Sequence, residues 1–443
     1  MFHRINILLI CCLLISACQL DTTPNFSDDI APIVQQKCIK CHQQNGGGPF
    51  PLTNYQEIAS KGQLIAYVVE QKIMPPWPAD PEYAHFTGEL ALSDKEIDQI
   101  QKWVTSGMAP GDSSQQLELP QNQQNNNSNF IVVKLPQPFL IKGDNKDHFF
   151  VAKYPIQVPA NTYIEAIEFV PHQLKLVHHM NAHLINYSET QAINTTTAPY
   201  WVDQNQEESQ RVHKDLKLCY ANGTYPEMTP SVCNYLPGAQ FSKYPDGIGG
   251  FPLAKNAVLY INDIHFGPSP IPVIDSSYFK IYLTNKAPIR PVREFQIGTL
   301  GLSPVKPDLS IPANQIKTFK IEFTVPEDIS ILNIVPHMHL IGKKFKSYAI
   351  KPSGDTVRLI AINQWDFRWQ YFYRPPHLLK LPRGSQIYVE AVYDNTSQNP
   401  NNPFSPPQLI RDRNGSMRTT DEMLQLILTY VPYKKGDEDL PNE

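Results

Sequence analysis

The chain has 443 residues, of which 41% are hydrophobic and 18% are charged, and its formal net charge is −4. A chain of this length exceeds one hydrophobic core and predicts roughly three domains of 100 to 200 residues. The absence of a basic patch argues against nucleic acid as a partner. The 41 prolines interrupt helices but are tolerated at strand edges, so most of the chain is expected to be β-rich.

The first 17 residues have the pattern of a signal peptide. Arg4 supplies a positive charge, and residues 5–15 form an apolar run too short for a stable membrane span. The tetrapeptide that ends at Cys18 resembles a bacterial lipobox, which implies cleavage before Cys18 and lipidation of that residue. Residues 18–26 would then tether the protein to the cell envelope. Gln19 is typical of lipoproteins of the outer membrane, facing the periplasm or the exterior; an ordinary secretory signal is the alternative.

Residues 27–110 are expected to form a small all-α domain. Polar residues at 27–29 cap a first helix, residues 55–71 suit a middle helix, and Ser93 with Glu96 forms a capping box before a third. The first helix leads into Cys38-Ile39-Lys40-Cys41-His42, the attachment signature of c-type haem. In this signature Cys38 and Cys41 bind the haem vinyl groups and His42 binds the iron. A redox dithiol or half of a zinc site is the alternative.

Methionine commonly supplies the sixth ligand of haem iron. Met74 and Met108 are both available, and Met74 is preferred because the Pro-Pro-Trp sequence that follows it stiffens the chain. Core packing is the alternative role for Met74. The pattern from Cys38 to Pro78 resembles class I cytochromes c, which implies a cytochrome c domain with one covalently bound haem.

The chain after residue 110 is predicted to be a linker followed by strands. Residues 111–129 are rich in Gln, Asn and Ser and predict a flexible linker. Short β-branched and aromatic runs separated by turns follow, and about 300 residues of this pattern predict two antiparallel, jelly-roll-like β-sandwich domains. Their expected bounds are 130–285 and 286–435, with a tail at 436–443.

Two cysteines remain once the signal, lipid and haem cysteines are assigned. These are Cys219 and Cys233, and an oxidising cell envelope favours a disulfide between them. Two free thiols are the alternative.

Five histidines on apolar strands predict metal sites. His337 and His339 are two apart, so they face the same side of a strand and can bind one ion. His178 and His179 are adjacent and need a bulge or a strand end to share an ion with His265. Any one of these residues alone could be a hydrogen-bonded core histidine, but their concentration favours metal binding. Nearby histidines that could substitute are His172, His183 and His377.

The order of these motifs resembles the copper type II, ascorbate-dependent monooxygenases, which include peptidylglycine α-hydroxylating monooxygenase and dopamine β-monooxygenase. The resemblance extends over residues 130–435 and includes Asp421-Glu422-Met423. It implies one electron-storing copper, with ligands His178, His179 and His265. It also implies a second copper that binds dioxygen and hydroxylates a substrate C–H bond, with ligands His337, His339 and Met423. A thioether beside two imidazoles favours Cu(I), the state that reacts with dioxygen.

The resemblance also implies a donor and a substrate class. Two electrons are needed per turnover, from ascorbate or another one-electron donor, and a tethered haem could deliver them from a periplasmic or extracellular donor. Peptide-amidating members use an arginine and a tyrosine to bind the substrate carboxylate, where this chain has Val335 and Ile427. A small-molecule or apolar organic substrate is therefore expected. The alternatives are a non-catalytic haem and copper electron-transfer or copper-binding lipoprotein, and a ligand-binding sandwich with incidental histidines.

Overall fold

Strands make up 37% of the chain and helices 12% in the computed structural model. The described residues are 23–44, 46–112, 117–118, 130–188, 193–203, 209–238, 244–245, 247–413 and 418–442. The predicted signal peptide, the lipidation residue Cys18 and most of the predicted linker lie outside these ranges. Within them, no helix combines the length and the apolar character needed to cross a membrane.

The helices are short and lie mainly in the first quarter of the chain. Their bounds are a π-helical turn Phe26–Ile30, α1 Ala31–Lys37, α2 Tyr55–Ala59, α3 Gly62–Glu70, α4 Asp94–Thr105 and α5 Ser209–Asp215. The capping box predicted at Ser93 and Glu96 is present at the start of α4. The predicted middle helix is split into α2 and α3, because the Ser60 hydroxyl donates to the Glu57 carbonyl and ends the first segment.

The expected small all-α cytochrome c domain is wrong as a description of this region. Helices α1 to α4 share a small core around Trp103, but the chain between α3 and α4 leaves it. Ala79 and Phe86 belong to the core of the second sandwich, and the Asp80 amide donates to the Ala361 carbonyl at 2.8 Å. The N-terminal helices are therefore an appendage of a mostly β protein, because their connecting segment gains its burial from the β-sandwich.

The first β-sandwich packs a five-stranded sheet (order β6-β3-β9-β5-β7) on a four-stranded sheet (β1-β11-β4-β8), with β10 and β2 as a separate pair. All of these pairs are antiparallel. The strands are β1 Phe130–Lys134, β2 Phe139–Ile141, β3 His148–Gln157, β4 Thr162–Val170, β5 Val177–Tyr187, β6 Trp201–Asp203, β7 Cys233–Tyr235, β8 Phe251–Leu253, β9 Asn256–Phe266, β10 Val273–Asp275 and β11 Tyr278–Thr284.

The second β-sandwich packs two four-stranded antiparallel sheets, β12-β21-β15-β18 and β14-β19-β16-β17, with β13 and β20 as a separate pair. The strands are β12 Arg293–Gly298, β13 Ser310–Ile311, β14 Ile316–Thr324, β15 Ile329–Met338, β16 Gly342–Ile350, β17 Thr356–Ile362, β18 Leu379–Leu381, β19 Gln386–Asp394, β20 Ile410–Arg411 and β21 Leu424–Pro432. The first sandwich ends with β11 and the second begins with β12.

The two sandwiches are packed against each other. Leu332, Leu378 and Val431 of the second sandwich join the buried core of the first. Arg290, between the sandwiches, donates to both carboxylate oxygens of Asp437 at 2.8 and 2.6 Å. The predicted tail at 436–443 thus contributes a docked turn, Asp437–Asp439.

The predicted disulfide between Cys219 and Cys233 is absent, and both thiols are free. Cys233 lies opposite Ala182 on β5, whereas the carbonyl of Leu218, beside Cys219, accepts from Tyr187 at the far end of that strand. The two contact positions on β5, Ala182 and Tyr187, are five residues or about 16 Å apart, whereas a disulfide needs Cα atoms within about 7 Å. The buried Cys233 thiol instead donates to the Ile167 carbonyl.

Candidate metal centres

The first histidine cluster forms across two central strands of the first sandwich. His179 on β5 lies opposite His265 on β9, while Val177 lies opposite Phe266. His178 is therefore an extra residue in the ladder, which is the bulge that the sequence required for adjacent histidines to share an ion. The His265 ring centre is 4.6 Å from that of His178 and 5.0 Å from that of His179. We call His178, His179 and His265 the first cluster.

Carboxylates fix two of the three rings from outside. His179 Nε2 is 2.8 Å from Asp263 Oδ2, and His265 Nε2 is 2.7 Å from Asp147 Oδ1. The Nδ1 atoms of all three histidines are buried and have no hydrogen-bond partner. Buried polar atoms are almost always paired, and carboxylate-bound histidines whose other nitrogen is free are typical of metal ligands. The first cluster therefore fits a metal ion.

The Asp147 carboxylate also lies close to the cluster and is a further possible metal ligand. One ligand atom each of Asp147, His178 and His265 lies within 4.8 Å of the other two. His179 does not belong to this tightest group. The structure thus brings together all three predicted histidines as neighbours, but the closest set of three donors replaces His179 with a carboxylate that the sequence analysis missed.

Burial keeps imidazoles of this cluster neutral. It lowers the pKa of His178 to about 4, helped by the neighbouring His265. Burial also lowers the pKa of His265, although the hydrogen bond to Asp147 opposes this. A neutral imidazole has a free nitrogen lone pair, as metal coordination requires.

Gly267 leaves room for the His178 ring. A Cβ atom at this position would lie 2.6 Å from His178 Nε2. The motif Ile264-His265-Phe266-Gly267 therefore has a steric explanation: the glycine after the strand allows the histidine of the neighbouring strand to approach.

The second histidine cluster lies at the end of β15 in the second sandwich. His337 lies opposite Gln425 and Met338 opposite Leu424, so the next position along the ladder sets His339 against Met423. Opposed residues face the same side of a sheet. Met423 is buried, with 1% of its surface exposed. We call His337, His339 and Met423 the second cluster.

The Nδ1 atoms of both histidines in the second cluster are held from outside. His337 Nδ1 is 2.5 Å from Gln370 Oε1, and His339 Nδ1 is 3.0 Å from the Asp421 carbonyl. Each ring thus has Nε2 left for an ion. Burial lowers the pKa of His337, and it lowers that of His339 to about 3, with a further contribution from His337. Two neutral imidazoles beside a thioether are a donor set suited to Cu(I).

A buried carboxylate braces this cluster through the backbone. Glu422 accepts from the amides of His339 and Ile341, both at 2.9 Å, and from that of Met423 at 3.3 Å. Burial raises the pKa of Glu422 to about 8, although these backbone donors lower it. Glu422 ties the end of β15 to the start of β21, so the histidines and the methionine are held in one frame.

The segment 363–378, between β17 and β18, connects the two clusters. The Trp365 indole donates to the His339 carbonyl at 3.1 Å, and Gln370 binds His337. Phe367 is 6.1 Å from His179 and 5.8 Å from His339 between ring centres. The ring centres of His179 and His339 are therefore less than about 12 Å apart, and Phe367 contacts both clusters.

The haem attachment motif lies beside the sandwiches. His42 Nδ1 is 3.0 Å from the Phe50 carbonyl, which leaves Nε2 for an iron atom. A Cβ atom at Gly238 would lie 2.6 Å from Cys41 Sγ. Burial and then the nearby Cys41 thiol raise the pKa of Tyr235 and of Tyr371. The motif therefore packs against the first sandwich.

The two methionines proposed as axial ligands have different environments. A Cβ atom at Gly62 would lie 2.4 Å from Met108 Sδ, so Met108 packs between α3 and α4. Met74 is half-buried and begins the segment that crosses to the second sandwich, and its amide donates to the Val68 carbonyl. Met108 is used in packing, and Met74 stays a prediction as the haem ligand.

The other histidines considered as ligands have separate roles. His183 Nδ1 contacts the Thr229 carbonyl, and His172 Nδ1 accepts from the Ser276 amide. His377 lines a cavity of about 650 Å³ with Lys351, Arg358 and Lys380. None of the three has a ring contact with either cluster among the described contacts.

The sequence analysis missed four residues of the site, and only one of them could have been indicated by a sequence pattern. Asp263 is two residues before His265, so strand alternation could have indicated it. Asp147 and Gln370 come from connecting segments 118 and 33 residues away from the histidines they bind, and no periodic pattern marks them. Phe367 gives no signal of its own in an aromatic-rich segment.

The comparisons with known proteins do not identify a relative. No family model and no curated protein matches the sequence. A solved structure of PNGF-II has 10% identity and a TM-score of 0.27 over 72% of each chain. Allantoicase has 9% identity and a TM-score of 0.18, covering 68% of this chain and 83% of that one. The VP2 subviral particle of infectious bursal disease virus has 11% identity and a TM-score of 0.18, covering 70% and 73%. Such low TM-scores support no conclusion about this chain.

Proposed function

We propose that this protein is a dicopper, dioxygen-dependent monooxygenase that hydroxylates a C–H bond of a small apolar substrate. The first cluster holds one copper and the second cluster holds the other. When bound, copper supplies one-electron chemistry and activation of dioxygen. The observation that carries the proposal is that two histidine clusters both contact Phe367, each with ring nitrogens that its hydrogen bonds leave free.

Different donor sets support different roles for the two sites. The first cluster offers imidazoles with carboxylates close by, and the second offers two imidazoles and a thioether. Soft sulfur stabilises Cu(I), and a site with three protein ligands keeps a position open for an external molecule. The second cluster is therefore assigned to dioxygen, and the first to storage of the second electron.

An apolar surface beside the second cluster supports the substrate class. Val335 lies directly opposite Ile427, two residues before His337 and two after Gln425. Alternation in strands sets this pair on the same face as His337. Neither side chain can bind a carboxylate, so the face that holds the second cluster favours an apolar substrate over a peptide terminus.

A haem bound covalently at Cys38 and Cys41 is proposed as the immediate electron donor. When bound, it supplies one electron at a time from a donor in the cell envelope. Support comes from the hydrogen bond that Tyr371 donates to the Pro76 carbonyl of the N-terminal region and from the preceding residue, Gln370, which binds His337. This region can deliver electrons without a separate carrier, because it is packed on the sandwiches and not merely tethered.

The cell-envelope location is also a proposal. The lipobox-like sequence ending at Cys18 supports a lipid anchor, and outer-membrane sorting is consistent with Gln19. Both residues lie outside the described part of the structure.

Metal analysis of the full chain tests the proposal. We expect about two coppers and one iron per chain, since each cluster and the haem motif binds one metal ion. His339→Ala should lose one copper and all dioxygen consumption, and His265→Ala should lose the other copper. A chain that binds both coppers but transfers electrons without consuming dioxygen would be a carrier, and the monooxygenase proposal would be wrong. A chain that binds no copper would be a ligand-binding sandwich.

A further inference from the structure

Asp147 differs from an ordinary surface partner of a histidine. Its side chain is 50% exposed, whereas that of His265 is 3% exposed. It therefore lies at the solvent side of the first cluster, at the end of the turn that precedes β3. Its ligand atom is close to His178 as well as to His265, within 4.8 Å of both.

The neighbouring pair Asp144 and His148 provides a comparison, as an aspartate–histidine contact without a third ligand group. Asp144 Oδ1 is 2.9 Å from His148 Nε2 in the same turn. This pair has the same residue types and nearly the same distance as Asp147 with His265. Among the described residues, however, no third ligand group of the kind that His178 provides converges on it. Only the Asp147 pair is completed by a second imidazole.

We propose that Asp147 is a copper ligand of the first site, together with His178 and His265. This inference rests on the proposed function and deepens it. A copper ion there would take the place of the proton between Asp147 Oδ1 and His265 Nε2, which would leave to solvent, so His265 would bind the ion through Nε2 and not through Nδ1. His179, whose Nε2 is held by Asp263, lies beside this site on its buried side.

The carboxylate gives the two copper sites opposite redox preferences. A hard, anionic oxygen stabilises Cu(II) relative to Cu(I), whereas the thioether of Met423 does the reverse. The outer partners of the second cluster are an amide and a backbone carbonyl, which bring no charge to its rings. With copper at both sites, Asp147 would lower the reduction potential of the first site and Met423 would raise that of the second, which would favour transfer of one electron from the first to the second.

The test uses the full chain carrying His339→Ala, so that the first site alone holds copper. Asp147→Asn, Asp147→Glu and the control Asp144→Asn are added, and Cu(II) binding is measured by chelator competition, electron paramagnetic resonance and redox titration. Asp147→Asn should weaken Cu(II) binding about 10- to 100-fold, alter the Cu(II) hyperfine pattern and raise the reduction potential. Asp147→Glu should restore most of the affinity, and Asp144→Asn should change none of these quantities.

Two results would overturn the inference. One is a Cu(II) affinity and spectrum in Asp147→Asn equal to those of Asp144→Asn. The other is a weaker affinity with an unchanged Cu(II) spectrum, which would make Asp147 only an orienting partner of His265. Failure of the proposed function would be distinct, because the wild type would then bind no copper at the first cluster or would hold both coppers without consuming dioxygen, whatever the effect of Asp147→Asn.

Discussion

Two glycines fix the position of two side chains at the metal sites. Gly267 allows His178 to approach, and a Cβ atom at Gly342 would lie 2.8 Å from Trp365 Cδ1 and 2.9 Å from Met338 Cε. Trp365 in turn donates to the His339 carbonyl. Each glycine serves one cluster, so substitution should affect the two copper sites separately.

Gly267→Ala should lower copper affinity at the first site only, by about 10- to 100-fold, because the added methyl group displaces the His178 ring. Gly342→Ala should lower it at the second site only, since Trp365 must shift. Copper content under chelator competition measures both, and each variant is the control for the other. Loss of both coppers in either variant would mean general misfolding and would contradict the separate roles.

The sequence analysis identified the histidines of both clusters but not the residues that hydrogen-bond to them. His178, His179, His265, His337 and His339 are recognisable because strand alternation and motif order constrain them. Asp147 and Gln370, which hydrogen-bond to two of these histidines, are not recognisable, because they lie in irregular segments that have no periodic pattern.

At the scale of elements, a short C-terminal turn locks the two sandwiches together. Asp437 accepts from Arg290, from the Ser330 hydroxyl at 2.6 Å and from the Lys434 amide at 2.9 Å. Burial raises the pKa of Asp437, but these donors and the Arg290 charge outweigh it, so the pKa is lowered. The sequence suggested only a polar tail here, because an ion pair between residues 147 positions apart leaves no local pattern.

Asp437→Ala should destabilise the protein by up to about 3 kcal/mol at pH 7, since it leaves the Arg290 side chain, which is only 16% exposed, without its carboxylate partner. The folded-state pKa of Asp437 lies below the unfolded value, so its contribution is present at neutral pH and is lost as the pH falls through the lowered pKa. The difference in melting temperature between wild type and variant should therefore shrink below about pH 4.

Glu390→Gln provides the control for this change. Glu390 pairs with Lys320 on the surface, with side chains 50% and 63% exposed, so its loss should cost less than about 1 kcal/mol. Equal melting temperatures for Asp437→Ala and Glu390→Gln at pH 7 would show that the C-terminal turn does not hold the sandwiches together.

At the scale of the whole molecule, the β-rich character after residue 130 and the break before β12 follow from the sequence, because short alternating runs and proline turns mark them. The independent helical domain does not exist. Helical periodicity identified α4 and its cap correctly, but it gave no indication that Ala79 and Phe86 are buried in the core of the second sandwich. Tertiary burial of a segment without periodicity is invisible to sequence reasoning.

This packing predicts a direct connection between the haem motif and the second cluster. Tyr371 donates to the Pro76 carbonyl at 2.8 Å, and its ring makes a tilted contact with that of Trp77. The preceding residue, Gln370, binds His337. Gln370→Leu should therefore slow oxidation of the reduced haem by Cu(II), with activity lowered about 10- to 100-fold because His337 loses its outer partner. Stopped-flow spectra under anaerobic conditions measure this, with Gln386→Leu as the surface control. Unchanged haem oxidation in Gln370→Leu would exclude this connection.

Dioxygen consumption by the fully reduced, copper-loaded chain tests the central claim most directly. The donor would reduce the haem, small apolar compounds would be offered as substrates, and isotopically labelled dioxygen would report incorporation by mass spectrometry. We expect uptake in wild type with one labelled oxygen atom in the product, and neither in His339→Ala, which lacks a ligand of the dioxygen-binding copper. Equal dioxygen uptake by wild type and His339→Ala, or none by a wild type that holds both coppers, would contradict the account.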